Sequence, residues 1–331
     1  MPGDSSQDPT GTSPNVAEVA EPCPGVTLSQ YVEYFKAKGE PSVLSQDGSH
    51  AWVPAGKGAL YRIPLECTEP VPPATVRQLL RLPRVRLVSY LLEGSAARPA
   101  NTFDYVCTDP NYCVEGLNTN ARRDIRRGQR NFKIRLCTCD ELAGKGFPAH
   151  ADTMARHGYA APDPRGFPGY AEQFRNSPQY ELWGAWKDDD LCAWMGILKI
   201  ANFAMVSVCR SRTAALKWCP NNALLYEGTR RLLVEEKRAY VTYGLSSIQI
   251  DADELAMHKY KTRMGYEPVP LRLVFDVRPL LRPLLKWRVM SWMWEKVAKL
   301  RPSSAFLRKL AGVSRILSGR EKQPLAWAQE G

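Results

Sequence analysis

From residue 132 to residue 277 the spacing of apolar positions changes repeatedly, and each change marks a new element. The stretch Phe132-Lys-Ile-Arg-Leu-Cys137 alternates with period two, as a half-buried strand does. Helical spacing follows over 140–157. A Pro/Gly-rich stretch containing Pro162, Pro164, Gly166, Pro168 and Gly169 then predicts a long loop. Three apolar runs, 180–186, 191–200 and 203–209, are separated by Asp188-Asp189-Asp190 and by Ala201-Asn202, which predicts an antiparallel meander. A helix is expected over 220–237, with Asn221 or Asn222 as N-cap and Leu224, Leu225, Gly228 and Leu232 on its core stripe. Gly228 in mid-helix predicts a close backbone approach there. The strand 240–245, the helix 253–264 with its Gly265-Tyr266 stop, and the strand 271–277 complete the order β-α-β-β-β-α-β-α-β.

The preceding region is less sharply patterned. Helices are expected over 28–37 and 75–82 and strands over 84–92 and 103–108, with the proline-rich 69–73 as a connector. Residues 1–25 are rich in Pro, Ser, Asp, Thr and Gly and are expected to be disordered. They contain acidic residues and lack the apolar core of a signal peptide, and no run approaches the ~20 apolar residues of a spanning helix. The expected location is therefore the cytoplasm. The chain of 331 residues, 44% apolar and 24% charged, is long enough to bury a sizeable core in two domains or a doubled one. Nine cysteines, an odd number without a CxxC spacing, read as buried reduced thiols and not as a metal site. His150 and His157 read as ordinary polar residues.

The net charge of +11 is uneven. Between residues 278 and 322 twelve Lys and Arg face only Glu295 and Glu321. A second cluster, Arg122, Arg123, Arg126, Arg127 and Arg130, lies on a helix-like stretch with Asp124 alone opposing it. Both suggest an anionic partner. Two helical pieces in the tail carry Trp287, Trp292 and Trp294 and, further on, an apolar face of Phe306, Leu307, Leu310, Val313 and Leu317 beside basic residues. This pattern fits either an anionic membrane surface met by 284–317, on the inner face of the membrane, or packing on the chain's own core or a second subunit.

An antiparallel meander passing into a parallel crossover, with the motif Tyr260-Lys261 before Met264-Gly265-Tyr266, resembles the GNAT superfamily of acyl-CoA N-acyltransferases over residues 132–277. The arginine-rich 120–132 is similar to the helix that feeds the second half of Fem-type aminoacyl transferases and related polysaccharide-cluster acetyltransferases. The resemblance implies an α/β (α+β) fold: a doubled GNAT-like mixed sheet flanked by helices, with an N-terminal half over 26–131, an acyltransferase domain over 132–277 and a helical tail over 278–331.

The resemblance also implies acyl transfer from an acyl-CoA, such as acetyl-CoA, to an amine of a small-molecule, saccharide or peptide acceptor, without a metal. Such chemistry needs an anchor for the donor's phosphates, charge at the oxyanion and a proton acceptor. Arg212, Lys217, Asn221 and Asn222 are the expected donor-binding residues, at a basic loop entering a helix N-terminus. Lys261 is the expected source of positive charge and Tyr260 its stacking or proton-donating neighbour. Asp251 is the candidate base, with Asp253 and Glu181 as alternatives. Two other readings stand beside this one. An aminoacyl-tRNA donor would meet the basic helix 121–130, and a catalytically silent binding protein would fit the lack of any glycine between 210 and 222.

Overall fold

The computed structural model describes residues 24–246 and 254–320. Eleven strands form one mixed sheet in the spatial order β1-β2-β3-β4-β11-β5-β10-β9-β8-β7-β6. In chain order they are β1 Val43–Leu44, β2 Ala51–Pro54, β3 Ala59–Ile63, β4 Leu87–Glu93, β5 Thr102–Cys107, β6 Lys133–Leu136, β7 Tyr180–Lys187, β8 Asp190–Ile200, β9 Phe203–Ser211, β10 Tyr240–Leu245 and β11 Glu267–Val277. The helices are α1 Leu28–Ala37, α2 Pro73–Arg81, α3 Thr119–Asn131, α4 Cys139–Lys145, α5 Phe147–Arg156, α6 Phe167–Arg175, α7 Pro220–Arg230, α8 Glu254–Arg263, α9 Arg282–Lys286, α10 Arg288–Leu300 and α11 Ala305–Leu317. Strands β6 to β9 pair antiparallel in sequence order, and β10 then joins β9 in parallel, as the pattern predicts. The last strand, β11, inserts between β4 and β5, so strands from either side of residue 131 interleave.

Strand β8 is buried along nearly its whole length because both faces are covered. On one face Ala204, Val206, Val241 and Tyr243 pack with Leu224, Leu232 and Ile125, from α7, the turn after it and α3. On the other, Phe203 and Tyr240 pack with Tyr31 and Val32 of α1, and Trp194 packs with Leu142, Ala149 and Phe167 of α4–α6. Helix α3 approaches α7 very closely. A Cβ on Gly128 would lie 2.6 Å from the Cys219 carbonyl oxygen and 2.7 Å from the Ala223 Cβ. The expected close approach at Gly228 is also present: a Cβ there would meet Met195 Cε of β8 at 2.8 Å.

Several expectations need correction. The N-cap of α7 is neither Asn221 nor Asn222 but Cys219, which adopts φ +59°. Pro220 takes the first helical position, where its missing N–H costs nothing, and so fixes the helix start one residue earlier. The loop expected around 162–169 instead passes through a short turn into α6, because Pro168 also sits in a first helical turn. The strand expected over 132–137 gives way to α4 at Cys139, where Thr138 caps the helix with a reciprocal bond from Glu141. Strand β11 starts at Glu267, earlier than expected, despite Pro268 and Pro270. Here β5 is the only ladder partner and Leu271 turns its carbonyl toward Asn101, so alternation places both proline nitrogens on the side without a strand. Strands β1–β3 were not anticipated at all.

Most of the expected leader, residues 1–23, lies outside the described residues. Pro24 and Gly25 are held in place: the Pro24 carbonyl accepts from Arg238 at 2.7 Å, and Gly25 packs on Lys199. In the tail, α11 turns Val313, Ile316 and Leu317 onto the sheet beside Leu271, Leu273 and Phe275. The apolar face of α11 is therefore used inside the molecule, with Phe306 left exposed. No helix among the described residues is long and apolar enough to cross a membrane.

Candidate functional site

Strands β9 and β10 pair at three positions only, Tyr240 with Phe203, Val241 with Ala204 and Thr242 with Met205. Past these the ladder stops, although β9 runs on to Ser211 and β10 to Leu245. Irregularities in both strands accompany the break. The register of β9 shifts against β8 around Ser207, and that of β10 shifts against β5 after Thr242, where Gly244 adopts φ +73°. The strands thus open into a wedge where Cys209, Tyr243 and Tyr260 pack together on the α7–α8 face. The Tyr243 and Tyr260 rings meet edge to face at 6.2 Å, and the Tyr260 hydroxyl donates to the Asn221 carbonyl at 3.2 Å.

Lys261 follows Tyr260 on α8 and is buried, at 4% exposure. Its ammonium lies 4.1 Å above the Tyr105 ring and 4.8 Å from the Tyr243 ring. It donates to the carbonyls of Tyr243 and Gly244, at 3.3 Å each. Ring faces and carbonyls offset desolvation only in part. Burial accordingly pulls the Lys261 pKa down to about 8, against the opposing charge of Asp104. Asp104 lies on β5, points to the other face of the sheet from Tyr105, and accepts a hydrogen bond from the Thr242 hydroxyl. Burial pushes its carboxyl above the usual range, while Thr242, the Tyr105 amide and Lys261 pull it down and Glu66 adds a further upward push. Burial also raises Glu66 itself. His258, a turn before Lys261, meets the Tyr105 hydroxyl at 3.1 Å, and burial and the nearby Lys261 charge pull its pKa down.

The residues expected from the sequence are only partly brought together. Lys261, Tyr260, Asn221 and Asn222 come together around the wedge. There Asn221 bonds Ser211 at 3.2 Å and accepts from the Cys209 thiol at 3.6 Å, and Asn222 reaches the Met264 sulfur at 3.5 Å. Lys217 lies at the seam of α3 and α7, its ammonium 5.3 Å from the Trp218 ring that also carries Arg127 at 5.1 Å. Arg212 turns away to Asp190 of the β7–β8 hairpin at 3.0 Å. Asp251 and Asp253 lie outside the described residues. Glu181 is no candidate base, because Lys199 and Trp183 both bond it at 2.8 Å in the interior.

Asp104, Tyr105 and Tyr243 were missed. One signal was available for the first of them: a carboxylate inside the apolar strand Phe103-Asp-Tyr-Val-Cys107 must be buried, and a buried carboxylate needs a partner.

A cleft of about 600 Å³ lies beside this cluster and not on it. It opens between α1 and α6 over the diverging end of β9, with Tyr34, Tyr170, Phe174, Gln179, Ser207 and Arg210 among its walls. Arg210 connects the two places, since its charge acts on Tyr243, which flanks Lys261. A separate groove of about 290 Å³ runs along α3 between Thr119, Arg122, Arg123, Arg126 and Arg130. Among the described residues no group of three His, Cys, Asp or Glu side chains is placed to hold a metal ion.

No protein-family model and no curated protein sequence matches the chain. Solved structures do resemble it in three dimensions. FemX superimposes with a TM-score of 0.54 at 9% identity, covering 78% of this chain and 94% of that one. L-PGS from Bacillus licheniformis gives 0.46 at 10% identity over 90% and 94% of the two chains. A tandem GNAT protein from the clavulanic acid biosynthesis pathway gives 0.40 at 13% over 76% and 94%. At these identities the likeness concerns the fold alone: this chain has a mixed α/β sheet flanked by helices, like that of FemX.

Proposed function

We propose that the protein is an N-acyltransferase that forms an amide at the wedge between β9 and β10. The observation that carries this reading is Lys261: a single ammonium, buried with ring faces and backbone carbonyls around it, at the point where two parallel strands part. The acceptor amine attacks the acyl carbonyl carbon, a C–N bond forms, and the C–S bond of a thioester, or the C–O bond of an aminoacyl ester, breaks. Lys261 faces the negative charge that develops on the carbonyl oxygen. The proton released by the amine ends on the thiol or hydroxyl product.

The donor's phosphates would lie at the seam of α3 and α7, where Arg123 and Arg127 act on Cys219 at the α7 N-terminus and Lys217 stands nearby. The acceptor would approach through the aromatic cleft beside Arg210. An acyl-CoA donor is the first reading. Aminoacyl-tRNA is the second, favoured by the length of the arginine groove on α3, which extends well beyond what one pyrophosphate requires.

The test is a thermal shift. Acetyl-CoA at about 100-fold over its Kd should add ~2.7 kcal/mol of stability if it is the donor. A shift with charged tRNA and none with acyl-CoA would select the second reading. No shift with either, together with full amide-forming activity in K261M, would overturn the assignment.

A further inference from the structure

Helix α10 is built inside out. Its inward face is small and polar: Ser291 and Ala298 are buried against α11, with Trp294 alongside. The opposite face, half a turn round, carries Val289, Trp292, Met293 and Leu300 with Lys296 and Lys299. Val289 is 74% exposed and Leu300 81%. Leu280, 88% exposed, Leu284 and Trp287 on the approach to α10 and Phe306 on α11 are exposed as well. Scattered exposed apolar residues need no explanation, but four on one face of one helix mark a surface that is covered in use.

We propose that this face docks the chain on a lipid bilayer containing anionic lipids. The charge around the patch selects that occupant. Arg282, Lys286, Arg288, Lys296, Lys299 and Arg301 surround it, and the one acid of α10, Glu295, bonds Arg320 at 3.2 Å on the inner side. A second copy of the chain would bring two such cationic surfaces together in a poorly screened contact. A nucleic acid would match the charge but leave Val289, Leu300 and Leu280 in water. A bilayer interface satisfies both. Aliphatic side chains enter the acyl boundary, the indoles of Trp287 and Trp292 sit at headgroup depth, and lysine stems reach back to lipid phosphates. Lys296 already stands 5.2 Å from the Trp292 ring, which keeps the charge next to the indole. The mount is rigid, because α11 holds α10 while Val313, Ile316 and Leu317 anchor α11 to the sheet. This inference does not depend on acyl transfer.

The test is co-sedimentation of the full chain with phosphatidylcholine vesicles, with and without phosphatidylglycerol. Binding is expected to the mixed vesicles and to weaken with salt. In V289E/W292E the partition coefficient should fall by about tenfold or more, since two inserted side chains are lost. The thermal midpoint should stay unchanged, since neither side chain touches the core. In K296E/K299E the preference for phosphatidylglycerol should disappear. The proposal is overturned if the full chain stays in the supernatant with mixed vesicles at low salt, or if V289E/W292E binds as well as the parent. It is equally overturned if the chain sediments as a dimer that V289E/W292E dissociates, with no vesicle binding.

Discussion

Two lysines are buried in the same sheet core, and they are satisfied in opposite ways. Lys199 on β8 is fully enclosed and meets Glu181 and Glu236, each at 2.8 Å. Glu236 is in turn held by Arg231 and Arg238, at 3.4 Å each. This charge is balanced, and its network ties the meander to the turn after α7 and to Pro24. Lys261 has carbonyls and ring faces at hand, and the carboxylate whose charge acts on it, Asp104, lies across the sheet bonded to Thr242. Its charge is only partly compensated. A balanced buried charge holds structure, whereas a partly compensated one has a displaced pKa and an electrostatic field to offer a reacting group.

The largest expected effect is structural. Lys199→Met would leave the buried Glu181 without its cation and should cost ~3–5 kcal/mol in urea unfolding. A loss below ~1 kcal/mol would break the comparison, since Lys199 would then be no better satisfied than Lys261.

At Lys261 the expectation reverses. Lys261→Met should keep the fold, because among the described residues no carboxylate hydrogen-bonds the ammonium directly, while kcat falls by ~10²–10³. The same residue sets the pH dependence. Above about pH 8 the ammonium loses its proton, so activity should decline there, and that alkaline limb should be absent from whatever activity remains in K261M. Stability should move the other way. At pH well below 8 the lysine is charged both folded and unfolded, and the burial cost is fully present. From about 8 toward the ordinary 10.5 the folded state sheds its proton first, so the parent should gain stability relative to K261M, by ~3 kcal/mol at most. Parallel stability–pH curves for the two proteins would show that the ammonium is better compensated than its surroundings imply.

A smaller effect is expected at the donor seam. Gly128→Ala would force α3 away from the Cys219 carbonyl and Ala223, at ~1–3 kcal/mol. It should also weaken donor binding more than acceptor binding, read as separate KM changes. Equal changes in both would detach the α3–α7 seam from the donor.

The C-terminal part of the fold was legible because its elements are long and strongly periodic. The three meander runs, the helix entering at Pro220 and the Gly265 stop each carry their own local signal. Gly265, at φ +82°, ends α8 as expected, and the Tyr266 amide bonds the Lys261 carbonyl at 3.2 Å. Strands β1–β3 are short and broken by Gly and Pro, and they become strands only by pairing with one another and with β4. At the site, Lys261 and Tyr260 stood out through their place before Gly265. Asp104 and Tyr105 lie more than 150 residues away and acquire meaning only when β5 is set between β10 and β11.

The sequence alone determined the periodicities, the helix stops and the basic stripe of α3, since each is encoded within one or two turns of chain. Tertiary structure decided where β9 and β10 part, which lysine meets carboxylates and which meets rings, and which tail helix faces the sheet. Those outcomes depend on desolvation and on partners distant in sequence, and no local pattern encodes how completely a buried charge will be satisfied.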